Sequence, residues 1–181
     1  SNNYNITYKA GTLTIGQENG YVTLDANKSV AYGTASTTFA VKTNHGGTIS
    51  VSDDNSTATS AISGTTVTIS NLNTLSAGTT VKVTVKVAAT TNYKAASATF
   101  TLTIVKATNP ITVTGNTLTY NGKAQNLVTT AKAQGAVYYS VGTSLTSSNY
   151  TTAGSTTIPT QTSANTSGYV VYYYCVGNGN Y

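Results

Sequence analysis

The side chains that could do chemistry are few and scattered. His45 is the single histidine and sits beside Gly46-Gly47 in a turn; with no second histidine and no Ser-His-Asp pattern it reads as a solvent-exposed turn residue rather than a base or ligand. The acids are Glu18, Asp25, Asp53 and Asp54. Glycoside hydrolysis needs two carboxylates facing one bond, and the adjacent pair Asp53-Asp54 lies in a polar turn where neighbours point different ways. A Ca²⁺ ion there would need Asn55 and carbonyls besides the two carboxylates. A Lys-Asn isopeptide crosslink would need a buried acid beside the pair, and Asp25 with Lys28 is the nearest candidate, at the cost of burying charge. Cys175 stands alone, so it forms no intrachain disulfide, and no Cys/His cluster offers a metal site. The sequence thus assigns no catalytic residue, no metal ligand and no cofactor.

The aromatic run Tyr172-Tyr173-Tyr174 is the one candidate surface feature. On a strand, Tyr172 and Tyr174 share one face, and with Tyr138 they could stack on sugar rings of host or cell-surface glycans. The other reading is cross-strand pairing or packing against a neighbouring domain.

The elements that position these residues follow a tandem repeat. Asn3-Tyr4-Asn5-Ile6-Thr7-Tyr8-Lys9-Ala10-Gly11-Thr12-Leu13-Thr14-Ile15 returns in outline at Asn92-Tyr93 with Leu102-Thr103-Ile104, and begins again at Asn180-Tyr181. Tyr4 and Tyr93 lie 89 positions apart, Tyr93 and Tyr181 88. Such a period marks repeated units.

With 181 residues and 39% hydrophobic content the chain can fill two ordinary cores. Thr, Val and Tyr dominate while Leu, Met, Glu and Arg are scarce or absent, which predicts an all-β chain. The net charge of +5 comes from nine lysines without arginine, spread singly from Lys9 to Lys132. That pattern argues against nucleic-acid binding and fits lysines that keep strands from pairing with foreign edges. No run of eighteen apolar residues predicts membrane insertion, and no signal peptide opens the chain.

The predicted strands include Val22–Leu24, Val30–Tyr32, Phe39–Val41, Ile49–Val51, Val67–Ile69, Val81–Val87 and Ala98–Ile104, with Asn44-His45-Gly46-Gly47 as a hairpin turn between two of them. Val81, Val83, Val85 and Val87 are expected to face a core, with Lys82, Thr84 and Lys86 in water. In the second half the strands are Ile111–Val113, Leu118–Tyr120, Ala136–Val141, Thr156–Ile158 and Tyr169–Val176. The 88-residue offset sets Tyr120 on Tyr32 and Cys175 on the core-facing Val87, which makes the thiol a small hydrophobe.

The motif Asn-Tyr-x-Ile-x-Tyr-x-x-Gly-Thr-Leu-Thr-Ile resembles the closing motif of MBG-type repeats of bacterial surface proteins. Asn109-Pro110-Ile111-Thr112-Val113, Leu118-Thr119-Tyr120-Asn121-Gly122-Lys123-Ala124-Gln125, Val137-Tyr138-Tyr139-Ser140-Val141-Gly142 and Tyr172-Tyr173-Tyr174 are similar to tandem immunoglobulin-like repeats of secreted proteins of gut bacteria. The resemblance implies two tandem immunoglobulin-like β-sandwich domains in an extracellular stalk or adhesin, with no catalytic residues to transfer. It divides the chain into a closing strand of a preceding repeat (1–15), one domain (16–106) and a second domain lacking its closing strand (107–181). The resulting expectation is a non-enzymatic structural or adhesive segment whose partners are adjacent repeats or copies of itself. An alternative is a filament subunit in which residues 1–15, through Ile6, Tyr8, Leu13 and Ile15, complete the C-terminal domain of the next copy as a donor strand. A carbohydrate-binding module remains the third reading.

Overall fold

A computed structural model of the chain describes residues 3–4 and 7–181. In chain order the strands are β1 (Val22–Leu24), β2 (Lys28–Ala31), β3 (Thr37–Thr43), β4 (Ile49–Asp53), β5 (Thr59–Ser63), β6 (Thr66–Ser70) and β7 (Thr80–Val87). They continue with β8 (Ala96–Val105), β9 (Thr112–Gly115), β10 (Gln125–Asn126), β11 (Val128–Ala131), β12 (Gly135–Val141), β13 (Thr160–Gln161) and β14 (Val171–Gly177). Helix among the described residues is limited to a 3-10 turn, Leu72–Thr74, and one α-turn, α1 (Tyr150–Ala153). The chain is all-β and sandwich-like. Ile6 lies outside the described residues.

Two compact units divide it: Ser1–Asn27, Thr37–Ser70 and Val81–Thr101 make one, and Lys28–Ser36, Asn71–Thr80 and Leu102–Tyr181 the other. The first unit carries a four-stranded sheet in the order β1-β3-β6-β5. β5 and β6 form its hairpin, with Ile62 opposite Val67 and a tight turn at Gly64, whose φ of 59° a glycine adopts without strain. β4 pairs antiparallel with β7, setting Ile49 against Val87 and Val51 against Val85. Val81, Val83, Val85 and Val87 are fully buried while Lys82 and Lys86 are exposed and Thr84 half-buried. The strict alternation therefore places one face of β7 in the core as its sequence requires. Against these valines, Phe39 of β3 stacks on Phe100 of β8 with ring centroids 4.1 Å apart and planes 11° from parallel. The stack joins the two layers, and fully burying each ring contributes about 1.5–3 kcal/mol.

The residues between β3 and β4 do not make the expected hairpin. β3 pairs with β1 and β6, whereas β4 pairs with β7, so the Asn44–Gly47 turn carries the chain from one sheet to the other. Asn44 secures the crossing: its Oδ1 accepts the Tyr21 N–H at 2.9 Å and its Nδ2 donates to the Asn19 carbonyl at 3.2 Å.

In the second unit, β2 runs parallel to the end of β8, with Val30 opposite Ile104. The order β2-β8-β7-β4 gives β8 a neighbour on each side. The strands that follow form three two-stranded ladders: β9 with β11, β10 with β13, and β12 with β14. In the last, Val137 faces Cys175, Tyr139 faces Tyr173 and Val141 faces Val171. Each of these pairs is a β4–β7 pair, Ile49–Val87, Val51–Val85 or Asp53–Val83, moved by 88 positions. Segment 156–158 forms no strand; α1 precedes it, and Thr160–Gln161 pairs instead.

The same offset recurs where the chain bends. An added Cβ on Gly47 would overlap the Ala88 carbonyl oxygen, and one on Gly135, at φ +137°, would overlap the Val176 carbonyl oxygen. Gly47→Ala is therefore expected to cost about 1–3 kcal/mol by overpacking against backbone. Gly135→Ala is expected to cost about 2–5 kcal/mol, since backbone strain adds to the clash. Gly46→Ala, where an added Cβ meets nothing within 4 Å, should stay within about 0.5 kcal/mol. Urea unfolding of the three variants checks the order.

Candidate functional site

The residues singled out from sequence go to separate places. His45 is half-buried rather than solvent-exposed: its ring stacks on Tyr93 with centroids 5.2 Å apart, and its Nδ1 accepts the Gly47 N–H at 3.1 Å. Its Nε2 is buried without a hydrogen-bond partner among the described residues. The imidazole acts as a wedge in the sheet crossing, a use that Gly46-Gly47 permits because an added Cβ on Gly47 would crowd the ring.

The aspartates are occupied by backbone. Asp25 Oδ2 accepts the Ala40 N–H at 2.7 Å, and Asp54 Oδ1 accepts the Lys82 N–H at 2.8 Å. Asp53 takes the Asn55 N–H at 3.3 Å and the Ser60 N–H at 3.0 Å, while Asn55 Oδ1 takes the Thr57 and Ala58 N–H groups. A short polar side chain that satisfies orphan N–H groups is the usual stabiliser of such turns. Asp25 and Lys28 are both exposed, so the acid lacks the burial that an isopeptide crosslink requires. Cys175 is half-buried, and its Sγ accepts Asn109 Nδ2 at 3.2 Å. The same amide donates to the Gln134 carbonyl at 3.2 Å while its Oδ1 accepts the Gln134 N–H at 3.1 Å, so Cys175 belongs to a polar clasp rather than a purely apolar wall.

Tyr138 and Tyr174 stand directly opposite each other on β12 and β14. Both meet Tyr150 of α1: Tyr174 stacks on it at 4.8 Å and 15°, and Tyr138 meets it edge-on at 4.8 Å and 74°. Tyr150 was not legible as a partner, because a single turn of helix has no periodicity to read. The local signal was Thr146 three residues before Asn149, whose Oδ1 accepts the Thr146 N–H at 2.7 Å and holds the turn. Tyr172 lies opposite Ser140 on the same face and is exposed. Of the three sugar-stacking candidates, two rings thus form a tyrosine cluster with Tyr150, and Tyr172 lies outside those ring contacts.

On the other face of β14, Tyr173 is 44% exposed although its partner Tyr139 is 6% exposed, with the Tyr139 hydroxyl 2.6 Å from Thr130 Oγ1. The exposure comes from a groove of about 500 Å³. Val113, Leu118, Tyr120, Leu127, Val171 and Tyr173 supply apolar lining, and Ser163, Asn165 and Thr166 add polar side chains to it. The groove gathers residues from four separate stretches of the chain, which the sequence does not announce.

The remaining assembly residues lie outside any ladder. Tyr8, Leu13 and Ile15 are each at least 87% exposed, and residues 7–15 carry no strand. From Gln17 onward the chain is held, with the Glu18 N–H donating to the Asn92 carbonyl at 2.8 Å and the Lys94 N–H returning to the Glu18 carbonyl at 2.8 Å.

No helix among the described residues is long and apolar enough to cross a membrane. No family model matches the chain, and no curated protein matches it.

The tyrosine cluster predicts an asymmetric response to truncation. Tyr150→Ala is expected to cost about 1–3 kcal/mol, because two ring pairs worth about 0.5–1.5 kcal/mol each are lost together. Tyr172→Ala should cost about 0.5 kcal/mol or less in the same denaturant titration. On a glycan array the unaltered chain and Tyr172→Ala are expected to give the same signal; loss of binding in the variant would favour the carbohydrate reading.

Proposed function

We propose that the chain is a tandem pair of immunoglobulin-like modules serving as a structural or adhesive segment of an extracellular bacterial surface protein, without enzymatic activity. The observation that carries this reading is the β12–β14 register, which reproduces that of β4–β7 pair for pair at an offset of 88 residues. A second contact repeats alongside it: the Ala107 N–H donates to the Asn180 carbonyl at 2.9 Å, as the Glu18 N–H does to that of Asn92. Modules reused in series, each with its own sheet pairing, suit a load-bearing stalk better than a site assembled from several elements. The side chains capable of catalysis are instead engaged in turns and crossings: Asp25, Asp53 and Asp54 accept backbone N–H groups, and His45 is wedged under Tyr93.

The reading is tested by pulling the chain from its two ends. Two separate unfolding events are expected, each releasing roughly 300 Å of contour for an ~88-residue module at about 3.5 Å per residue. A single event releasing the whole length would overturn the tandem arrangement. On cells that produce the protein, the chain should be cleaved by protease added from outside; complete protection in intact cells, lost on lysis, would overturn the extracellular assignment.

A further inference from the structure

Tyr150 is held over the β12–β14 ladder by bonds on both sides of α1. Before it, Asn149 Oδ1 accepts the Thr146 N–H at 2.7 Å and Asn149 Nδ2 donates to the Ser144 carbonyl at 3.1 Å. After it, the Gly154 N–H donates to the Tyr150 carbonyl at 3.1 Å, and Tyr139 and Ser155 exchange both backbone bonds, at 2.8 and 2.9 Å. An added Cβ on Gly154 would lie 2.6 Å from the Tyr150 carbonyl oxygen and 3.2 Å from Tyr138 Cβ, so the glycine lets α1 press this close to β12. The Tyr150 ring is therefore fixed against its neighbours rather than carried on a free loop.

A phenol that loses one electron and its proton becomes a phenoxyl radical, with spin on the ring carbons ortho to oxygen in p orbitals perpendicular to the ring. Tyr150 and Tyr174 stack with centroids 4.8 Å apart and planes 15° from parallel, which points those orbitals from one ring at the other. Tyr138 meets Tyr150 at 74°, and Tyr32 meets Tyr181 at 76°, so in both edge-on pairs the orbitals are turned away. Holding two partners in contact makes their coupling intramolecular and correspondingly fast. Composition directs oxidation to the same residue type: the sequence has 14 tyrosines, no tryptophan and no methionine. Its single thiol, Cys175, follows Tyr174 on β14 and so faces the opposite side of the strand, where Asn109 Nδ2 donates to its Sγ.

We propose that Tyr150 and Tyr174 form a covalent modification site, joined as dityrosine when hydrogen peroxide acts on the chain through a peroxidase-type one-electron oxidant. Each phenol gives up one electron and one proton. An ortho carbon of each ring then contributes to a new carbon–carbon bond, and the hydrogens on those two carbons shift to the oxygens, which restores both phenols. The two electrons and two protons released convert one peroxide into two waters. Both rings are half-buried, so the protons leave to solvent. The bond ties α1 to β14 and closes the chain from residue 150 to residue 174 into a loop. Those 24 positions (174 minus 150) then no longer extend under force, which withholds roughly 80 Å of contour at about 3.5 Å per residue. Both rings belong to one compact unit, so the link is independent of the tandem-module reading.

The test treats the full chain, dilute enough that contacts between chains are rare, with hydrogen peroxide and a haem peroxidase, and then with trypsin. No lysine or arginine follows Lys132, so residues 133–181 are released as one peptide. A monomeric peptide lighter by two hydrogens is expected, fluorescent as dityrosine, with backbone fragments arising outside 150–174 and none within. Tyr150→Phe and Tyr174→Phe each keep a stacked ring without its phenol, and each should lose the product, whereas Tyr138→Phe should retain it. Pulled from its ends, the treated chain should release roughly 80 Å less contour than the untreated one. A chain that loses no hydrogens, a link mapped to another tyrosine pair, a product that survives in Tyr150→Phe or Tyr174→Phe, or an equal yield from chain unfolded in urea would each overturn the proposal. The tandem reading is judged by the number of unfolding events, which the link does not change.

Discussion

A strand buried on one face either pairs its backbone at both edges or leaves one edge to water, and the strands of this chain differ in which of the two they do. β7 pairs at both. Its valines are inaccessible to water, β4 occupies one edge in the register Val51–Val85, and β8 occupies the other. The end of β8 is then secured from its far side by β2 and at its turn by two short bonds, Gly78 N–H to the Ile104 carbonyl at 2.7 Å and Ile104 N–H to the Thr79 carbonyl at 2.8 Å.

β14 has β12 on one side, in the register that β4 keeps on β7, and no strand on the other among the described residues. The consequences are visible residue by residue: Val83 and Val85 are fully buried, whereas their counterparts Val171 and Tyr173 keep solvent exposure. Tyr139, held between β14 and the Thr130 hydroxyl, shows that the wall does pack where neighbours exist. On the opposite face, a turn of helix brings Tyr150 over Tyr138 and Tyr174, so β12–β14 is covered there by aromatic contact. Burial in this half follows from which edges and faces are covered, and the sequence of β14 alone, apolar at nearly every position, does not specify it.

This explains what was legible in advance. Val81–Val87 announced itself, because alternation with lysine is a period-two signal that needs no tertiary knowledge. Ala98–Ile104 and Ala136–Val141 were found for the same reason, and the 88-residue spacing set Cys175 on Val87 before any pairing was known. β5, Thr-Ser-Ala-Ile-Ser, was missed because one isoleucine among small polar residues gives no period; only its ladder with β6 defines it. The turn at Asn44–Gly47 was read as a hairpin because turn chemistry is local, and glycines that permit a reversal equally permit a step to the opposite sheet. His45 was placed in water on the same local grounds, whereas contact with Tyr93, distant in sequence, decides its burial. The groove was not legible, because it brings together Val113, Leu127 and Tyr173 from segments distant in the chain.

Charge distribution gives the difference between the two halves a physical meaning. The acids and seven of the nine lysines lie before residue 110, and from residue 133 onward the chain carries no charge at all. Lys82 and Lys86 line the outer face of β7, and their counterparts at the 88-residue offset are Val170, just before β14, and Tyr174 within it. A protein that had to keep β14 from meeting other strands would place charge, proline or a covering loop along that edge, since an uncharged flat edge pairs readily. Proline is absent from the strand, and Ser163, Asn165 and Thr166 of the groove are polar but uncharged. The half with open backbone is therefore also the half without electrostatic protection.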